Sequence, residues 1–205
     1  MKCGDPVLVF NTEKGRAYRN WSLTPHVFRP HAILVFDCGK CLNCRKKRAS
    51  ELAMRCVLNA SLYEDNMFLT LTYDETKPGY HNELCYTDIQ KFKKKLRRYC
   101  EYHHNKKIEI FNVHEYGKNG KKHWHLIVFN HDFEDKTIYT RKNGLNLYTS
   151  KTLEKMWGFG FVTIGDVTEA SAMYQAQYMQ KDKKNGNEYN ENRKEIGRAS
   201  CRERV

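Results

Sequence analysis

The runs I-E-I-F-N-V-H-E-Y (108–116), G-K-N-G (117–120) and K-H-W-H-L-I-V-F-N (122–130) decide the fold. Both outer runs are rich in β-branched and aromatic side chains, the composition of strands. The Gly-Lys-Asn-Gly stretch between them predicts a turn, and so an antiparallel hairpin. Side chains alternate along a strand, so His123 and His125 share one face and Trp124 takes the other. Hairpin pairing brings Glu115 to the histidine face and sends His114 to the opposite one. Two histidines and a carboxylate suit a divalent ion such as Mn, Zn or Ni. Three protein ligands leave coordination positions open, which is the catalytic pattern. Taken alone, an H-x-H pair is also what two polar residues on a solvated face would give.

The flanking segments extend this hairpin into an α+β domain. Met67–Tyr73 reads as a buried strand. From Arg45 to about Tyr63, Ala49, Leu52, Ala53, Cys56 and Ala60 recur at three and four, predicting an amphipathic helix. Asp74–Glu83, with Pro78-Gly79, reads as a loop. Thr87-Asp88-Ile89-Gln90 has the form of a capping box for a helix running to about Tyr102. Residues 132–148 read as an irregular excursion. Thr152–Trp157 predicts a short helix, Gly160–Ile164 a strand, and Thr168 caps a helix from Glu169 to about Lys183. Near the start, Val7–Phe10 and Ala32–Phe36 read as extended segments separated by a polar stretch. The expected fold is a central antiparallel sheet flanked by helices. The expected domains are residues 1–44 with a cysteine knuckle, 45–184, and a polar tail over 185–205. The last ten residues, Ile196–Val205, resemble the translation of a sequencing adapter and are set aside.

Composition limits the function. The 205 residues carry 36 Lys+Arg against 24 Asp+Glu, a formal net charge of +12, and the sequence pI is about 9.3. Such an excess suggests a polyanionic partner, most often nucleic acid. Hydrophobic residues at 40% and aromatics at 13% exclude a wholly disordered chain. The longest apolar run, Ala32–Phe36, is far shorter than the roughly 20 residues of a membrane span. Met1–Pro6 lacks the form of a signal peptide, so the expected location is the cytoplasm. There, eight cysteines point to free thiols or metal ligands. Cys38, Cys41 and Cys44 are spaced to converge on one ion, and Cys3 is the expected fourth ligand of a structural zinc. An iron–sulfur cluster fits the spacing too, as do plain reduced thiols. Lys91, Lys93, Lys94, Lys95, Arg97 and Arg98 make the predicted 87–102 helix strongly basic. They are the expected phosphate contacts.

On the last predicted helix Tyr174 and Tyr178 are four residues apart and share a face, and Lys181 falls there too. Tyrosine can serve as a covalent nucleophile, and the same spacing also suits a packing pair. Taken in order, Phe68–Tyr73, Glu115-Tyr116-Gly117 with His123-Trp124-His125, and Tyr174-x-x-x-Tyr178 resemble the three motifs of the HUH endonucleases. These are rolling-circle replication initiators. Cys38-Gly39-Lys40-Cys41, Leu147–Ser150 through Leu153-Glu154, and Gly160–Val167 narrow the resemblance to the initiators of gokushovirus-type microviruses, small single-stranded DNA phages. It covers roughly residues 1–190. The family carries Arg or Lys just before the second tyrosine, where this chain has Gln177.

The resemblance implies an enzyme that nicks and rejoins single-stranded DNA at a phage origin, in the cytoplasm of a bacterial host and alongside the host replication machinery. It implies a divalent Mn or Mg on His123, His125 and Glu115. Tyr174 and Tyr178 would be nucleophiles, supported by Lys181. Two other classes remain: a metal-dependent nuclease that uses water, and a zinc-containing nucleic-acid-binding module. The chain shows no Gly-rich loop ending in Lys-Ser/Thr, so an intrinsic helicase is not expected.

Overall fold

The computed structural model describes residues 2–77, 80, 84–116, 121–142 and 144–181, without the side chains of 142 and 178–181. The predicted turn at 117–120, Pro78-Gly79 and the tail over 185–205 lie outside the described residues. The chain forms two compact units, one up to Leu52 and one from Ala53 on.

In the first unit, β1 (Val7–Thr12) pairs antiparallel with β2 (Gly15–Asn20) and with β3 (Leu34–Phe36). The two predicted extended segments are β1 and β3. The polar stretch between them holds the extra strand β2, closed onto β1 by a two-residue turn in which Gly15 takes φ +110°. Apart from the half-buried Ala17 and Asn20, β2 is exposed. Backbone pairing rather than apolar burial defines it, so its sequence lacks the strand pattern. The helix α1 (Leu42–Ala60) follows, with Ala49, Ala53 and Cys56 buried along one stripe as predicted.

The second unit is built on a six-stranded sheet. Its strands are β4 (Asn66–Thr72), β5 (Glu109–Tyr116), β6 (Lys122–Phe129), β7 (Thr137–Lys142), β8 (Leu145–Thr149) and β9 (Val162–Gly165), in the spatial order β5-β6-β4-β9-β8-β7. Every recorded pairing is antiparallel. The helices are α2 (Tyr86–His104), α3 (Lys151–Trp157) and α4 (Glu169–Lys181). Antiparallel strands with flanking helices agree with the expected class.

Alternation divides the sheet into two faces. On one, Met67, Leu69, Leu71, Trp124, Leu126, Val128, Val162 and Ile164 meet Ile89, Phe92, Leu96 and Cys100 of α2 and Leu153 and Trp157 of α3. Each such large apolar side chain contributes about 1.5–3 kcal/mol on full burial. A buried polar relay crosses this core: Trp124 Nε1 donates to Tyr73 Oη (3.1 Å), and Tyr73 Oη donates to Asp88 Oδ2 (3.0 Å). Trp157 Nε1 donates to the Thr72 carbonyl at 3.0 Å. These bonds tie β4 to β6 and α3, so the opposite face of both strands is held in register. Gly160 serves the same packing: a Cβ there would lie 2.4 Å from the Thr72 carbonyl oxygen, so only glycine lets the chain approach β4 this closely.

Two expectations need correction. Residues 132–148 are not irregular, because they contain the β7–β8 hairpin, turned at Gly144 with φ +79°. It lies at the sheet edge with Ile138, Tyr139 and Leu145 exposed, so burial does not impose the usual alternation on its sequence. Helix α2 starts before the expected capping box. Its N-cap is Cys85 in extended backbone, with no side-chain capping bond. Thr87 lies inside the first turn and pairs its Oγ1 with Cys85 Sγ at 2.9 Å. Among the described residues no helix is long and apolar enough to cross a membrane.

Candidate active site

The second face of the sheet gathers the polar residues. In the β5–β6 register Glu115 lies directly opposite His123 and Val113 opposite His125. In the β4–β6 register Thr72 faces His123 and Thr70 faces His125. His123 and His125 stack with ring centroids 6.2 Å apart and planes 28° off parallel. His114 contacts Trp124 on the other face, as alternation requires. Glu115 reaches diagonally, so that its Oε2 lies 3.1 Å from His125 Nε2.

The ring orientations are set from β4. Thr70 Oγ1 lies 3.1 Å from His125 Nδ1, and Thr72 Oγ1 lies 3.0 Å from His123 Nδ1. Engaging both Nδ1 atoms turns both Nε2 atoms toward the Glu115 side, the arrangement in which a neighbouring group fixes a ligating tautomer. Burial lowers the pKa of both histidines, and Glu115 opposes that shift. The neutral rings so favoured are the form a metal ion requires.

The donor chemistry fits a divalent ion. Nitrogen and oxygen ligands sit about 2.0–2.2 Å from such an ion, so two at right angles are about 3 Å apart. The His125–Glu115 separation matches that. Among the described residues the cysteine quartet is the group in which three or more ligand atoms come within 4.8 Å of one another. The His–His–Glu set is the more open of the two.

Helix α4 delivers the tyrosine. Tyr174 is 44% exposed, and its hydroxyl donates to Glu115 Oε2 at 3.5 Å. Its ring stands edge-on to His125 with centroids 5.8 Å apart. The next residue, Gln175, is fully buried and donates from Nε2 to the carbonyls of Phe111 (3.0 Å) and His125 (3.1 Å). One amide therefore ties α4 to both strands of the hairpin. Thr70, Thr72 and Gln175 were not read from the sequence as site residues. Alternation along Met67–Tyr73 offered a signal for the threonines, since it places them on one face. Nothing local marked Gln175. Tyr178 and Lys181 lie on α4, one and two turns after Tyr174, and their side chains are outside the described residues.

The basic helix is placed differently from the cluster. Lys91, Lys94, Lys95 and Arg98 are exposed and Arg97 is half-buried, but α2 covers the Trp124 face, the far side of the sheet from His123 and His125. Lys93 departs from the expected role of phosphate contact. It is 3% exposed and donates to Asn112 Oδ1 at 3.3 Å. Its position one turn after Ile89 puts it on the helix stripe that faces the sheet.

In the first unit, Cys3, Cys38, Cys41 and Cys44 bring their sulfurs within 4.8 Å of one another. Cys3 and Cys41 Sγ are 3.9 Å apart, and Cys38 and Cys44 Sγ are 4.0 Å apart. Tetrahedral sulfurs at about 2.3 Å from zinc stand about 3.8 Å apart, so the quartet has the size of a zinc site. Backbone N–H groups of Cys38, Cys41, Gly4 and Cys44 point at these sulfurs. Those from Gly4 and Cys44 pull the Cys41 thiol down to about 6, and those from Cys41 and Lys40 lower Cys38. Burial pushes Cys44 up to about 12. The cluster can hold a metal.

The family of replication-associated proteins of the ORF2 type matches residues 66–183. The chain is 39% identical over 150 residues to replication-associated protein ORF4 of Chlamydia phage 1, covering 70% of this chain and 37% of that protein. It is 34% identical over 163 residues to replication-associated protein VP4 of Bdellovibrio phage phiMH2K, covering 77% and 51%. It is 34% identical over 196 residues to replication-associated protein ORF2 of Spiroplasma virus 4, covering 88% and 61%. The chain thus spans between about a third and three fifths of these relatives. No solved structure matches it.

Proposed function

The chain belongs to the family of ORF2-type replication-associated proteins, and from that membership we propose that it initiates phage DNA replication as an HUH-type nicking and joining enzyme. Its N-terminal module carries the cysteines, and residues from about 45 to 184 form the nicking domain. The observation that carries the reading is the contact chain Tyr174 Oη–Glu115 Oε2–His125 Nε2, at 3.5 and 3.1 Å. It sets a phenolic nucleophile against a neutral-histidine and carboxylate donor set.

His123, His125 and Glu115 hold a divalent Mn or Mg, which supplies Lewis-acid polarisation of the scissile phosphate when bound. Tyr174 Oη attacks phosphorus. A phosphorus–oxygen bond to tyrosine forms, the bond to the 3′ oxygen breaks, and that oxygen leaves as a 3′-OH once protonated. The phenolic proton has the Glu115 carboxylate as its nearest acceptor. The strand is held through a 5′-phosphotyrosine link, which keeps the phosphodiester energy, so rejoining needs no nucleotide. The free 3′-OH primes a host polymerase. Tyr178, on the same helical face and about 5.4 Å along the axis, attacks the regenerated origin after one round. Lys181 offsets charge at the phosphate. The quartet Cys3, Cys38, Cys41 and Cys44 holds a structural zinc, and the solvent-facing cations of α2 contact DNA phosphates outside the cleavage site.

Labelled single-stranded origin DNA incubated with the protein and Mn²⁺, then run on a denaturing gel, tests the reading. A protein–DNA adduct is expected. Tyr174→Phe and Tyr178→Phe should each retain part of it, and the double variant none. Cleaved DNA without adduct means attack by water, and uncleaved but bound DNA means a binding module; either result overturns the proposal.

A further inference from the structure

The histidine face of the sheet continues beyond the candidate active site. Thr72, the cross-strand partner of His123, receives at its own carbonyl the Trp157 bond, and its N–H donates to the Phe161 carbonyl at 2.9 Å. Phe161 immediately precedes Val162, which faces the α2 core, so alternation turns the Phe161 ring to the histidine face. One row therefore runs across the sheet from Glu115 through His123 and Thr72 to Phe161. At about 4.8 Å per strand, Phe161 stands two strands, about 10 Å, from His123.

Tyr139 completes the row. The β7–β8 register shifts between Ile138 and Thr140, leaving Tyr139 as the bulged residue. A bulge re-aims one side chain out of the alternation, and here the Tyr139 ring reaches Phe161 with centroids 4.8 Å apart and planes 57° off parallel. Both rings stay open to solvent, Tyr139 at 56% and Phe161 at 39% exposed. They therefore do not serve as core, and an edge bulge aimed at another exposed ring is not needed to close the sheet.

We propose that Tyr139 and Phe161 form a base-stacking platform that grips single-stranded DNA a few nucleotides from the scissile phosphate. The inference rests on the nicking reading of the His–Glu–Tyr cluster. The platform shares that cluster's sheet face, and Thr70, Thr72 and Thr163 line the half-buried surface between them with hydroxyl donors. A nucleic acid is the occupant that this combination suits. Aromatic faces accept any base by stacking, hydroxyls bond phosphate and sugar oxygens, and the chain's net charge of +12 favours a polyanion.

The test uses fluorescein-labelled oligothymidine and the same oligomer made abasic, with binding read by anisotropy at fixed salt. Wild type should bind the base-bearing strand more tightly. Phe161→Ala and Tyr139→Ala should each lose about tenfold or more on that strand and change little on the abasic one. Tyr139→Phe should match wild type, and Phe161→Leu, which keeps the apolar volume, should behave like Phe161→Ala. Equal binding of both oligomers by wild type overturns the platform. Folded variants that bind oligothymidine as wild type does also overturn it, and would leave the pair as a contact for another protein or a second copy. Adduct formation in Mn²⁺ is scored on the same samples. Base discrimination without any adduct upholds the platform and overturns the nicking reading, so the two failures are separable.

Discussion

Replacing Gln175 with leucine tests whether one amide group sets the position of the nucleophile. The side chain is fully buried, and Nε2 donates to the Phe111 carbonyl at 3.0 Å and the His125 carbonyl at 3.1 Å. Leucine fills a similar volume but removes both donors. At about 1 kcal/mol net per hydrogen bond, the loss is about 2 kcal/mol. Gln175 Oε1 is itself buried without a partner, and its removal returns about 1 kcal/mol. The net cost is therefore about 1 kcal/mol, a fall in Tm of about 2–4 °C for a protein of this size. Gln175→Glu should be worse, because it aims a carboxylate at two carbonyl oxygens in a buried site, where an uncompensated charge costs about 3–5 kcal/mol. Differential scanning fluorimetry gives the order wild type, leucine, glutamate. Single-turnover adduct formation, measured where all three are folded, should fall in the same order, because α4 loses its tie beside Tyr174. Glutamate and leucine variants that melt with wild type would refute the reasoning, for the two bonds would then hold nothing.

Three further outcomes are expected. His125→Ala should abolish the adduct while keeping most DNA affinity, since phosphate contacts elsewhere position the strand; undiminished nicking by this variant, or by wild type in excess EDTA, counts against the ligand assignment. Burial, with His104 adding to it, holds the His131 pKa down at about 4 against 6.5, so between those values the unfolded chain takes a proton that the folded chain refuses. Stability is full above about pH 6.5 and falls toward pH 4, by at most about 3 kcal/mol from this group, and melting curves of His131→Leu across that window should show a shallower loss than wild type. Cys41→Ser should lower the zinc content found by elemental analysis of protein purified without chelator and lower the melting temperature, and zinc-free wild type of unchanged stability would remove the structural site.

Much of the site could be read from the chain because its spacing is short. His123, His125 and Glu115 lie on two strands joined by one turn, so alternation and pairing suffice to place them on one face. Tyr174 and Tyr178 are one helical turn apart, and three of the four cysteines lie within a single knuckle. Each inference needs only the local geometry of one element or one hairpin. The choice of Cys3 as the fourth sulfur went further, and rested on the closed four-ligand preference of structural zinc.

What the sequence did not show depends on the tertiary surroundings. The basic residues of α2 could be counted, but their direction is decided by which sheet face the apolar stripe Ile89, Phe92, Leu96 and Cys100 covers. That stripe takes Lys93 inward and leaves the other cations across the sheet from His123. The β7–β8 hairpin was missed because an edge strand exposed on both sides needs no apolar alternation. Its one informative feature is the extra residue at Tyr139, and a bulge exists only relative to the partner strand, so no reading of β7 alone can find it. Gln175 is the limiting case. An amide inside Y-Q-A-Q-Y is indistinguishable from its neighbour Gln177 until α4 is laid on the sheet. Then one amide is buried against two carbonyls and the other is exposed. The residues that carry chemistry were thus legible where their partners are near in sequence, and the residues that aim them were not, because their partners lie 50 and 64 positions away along the chain.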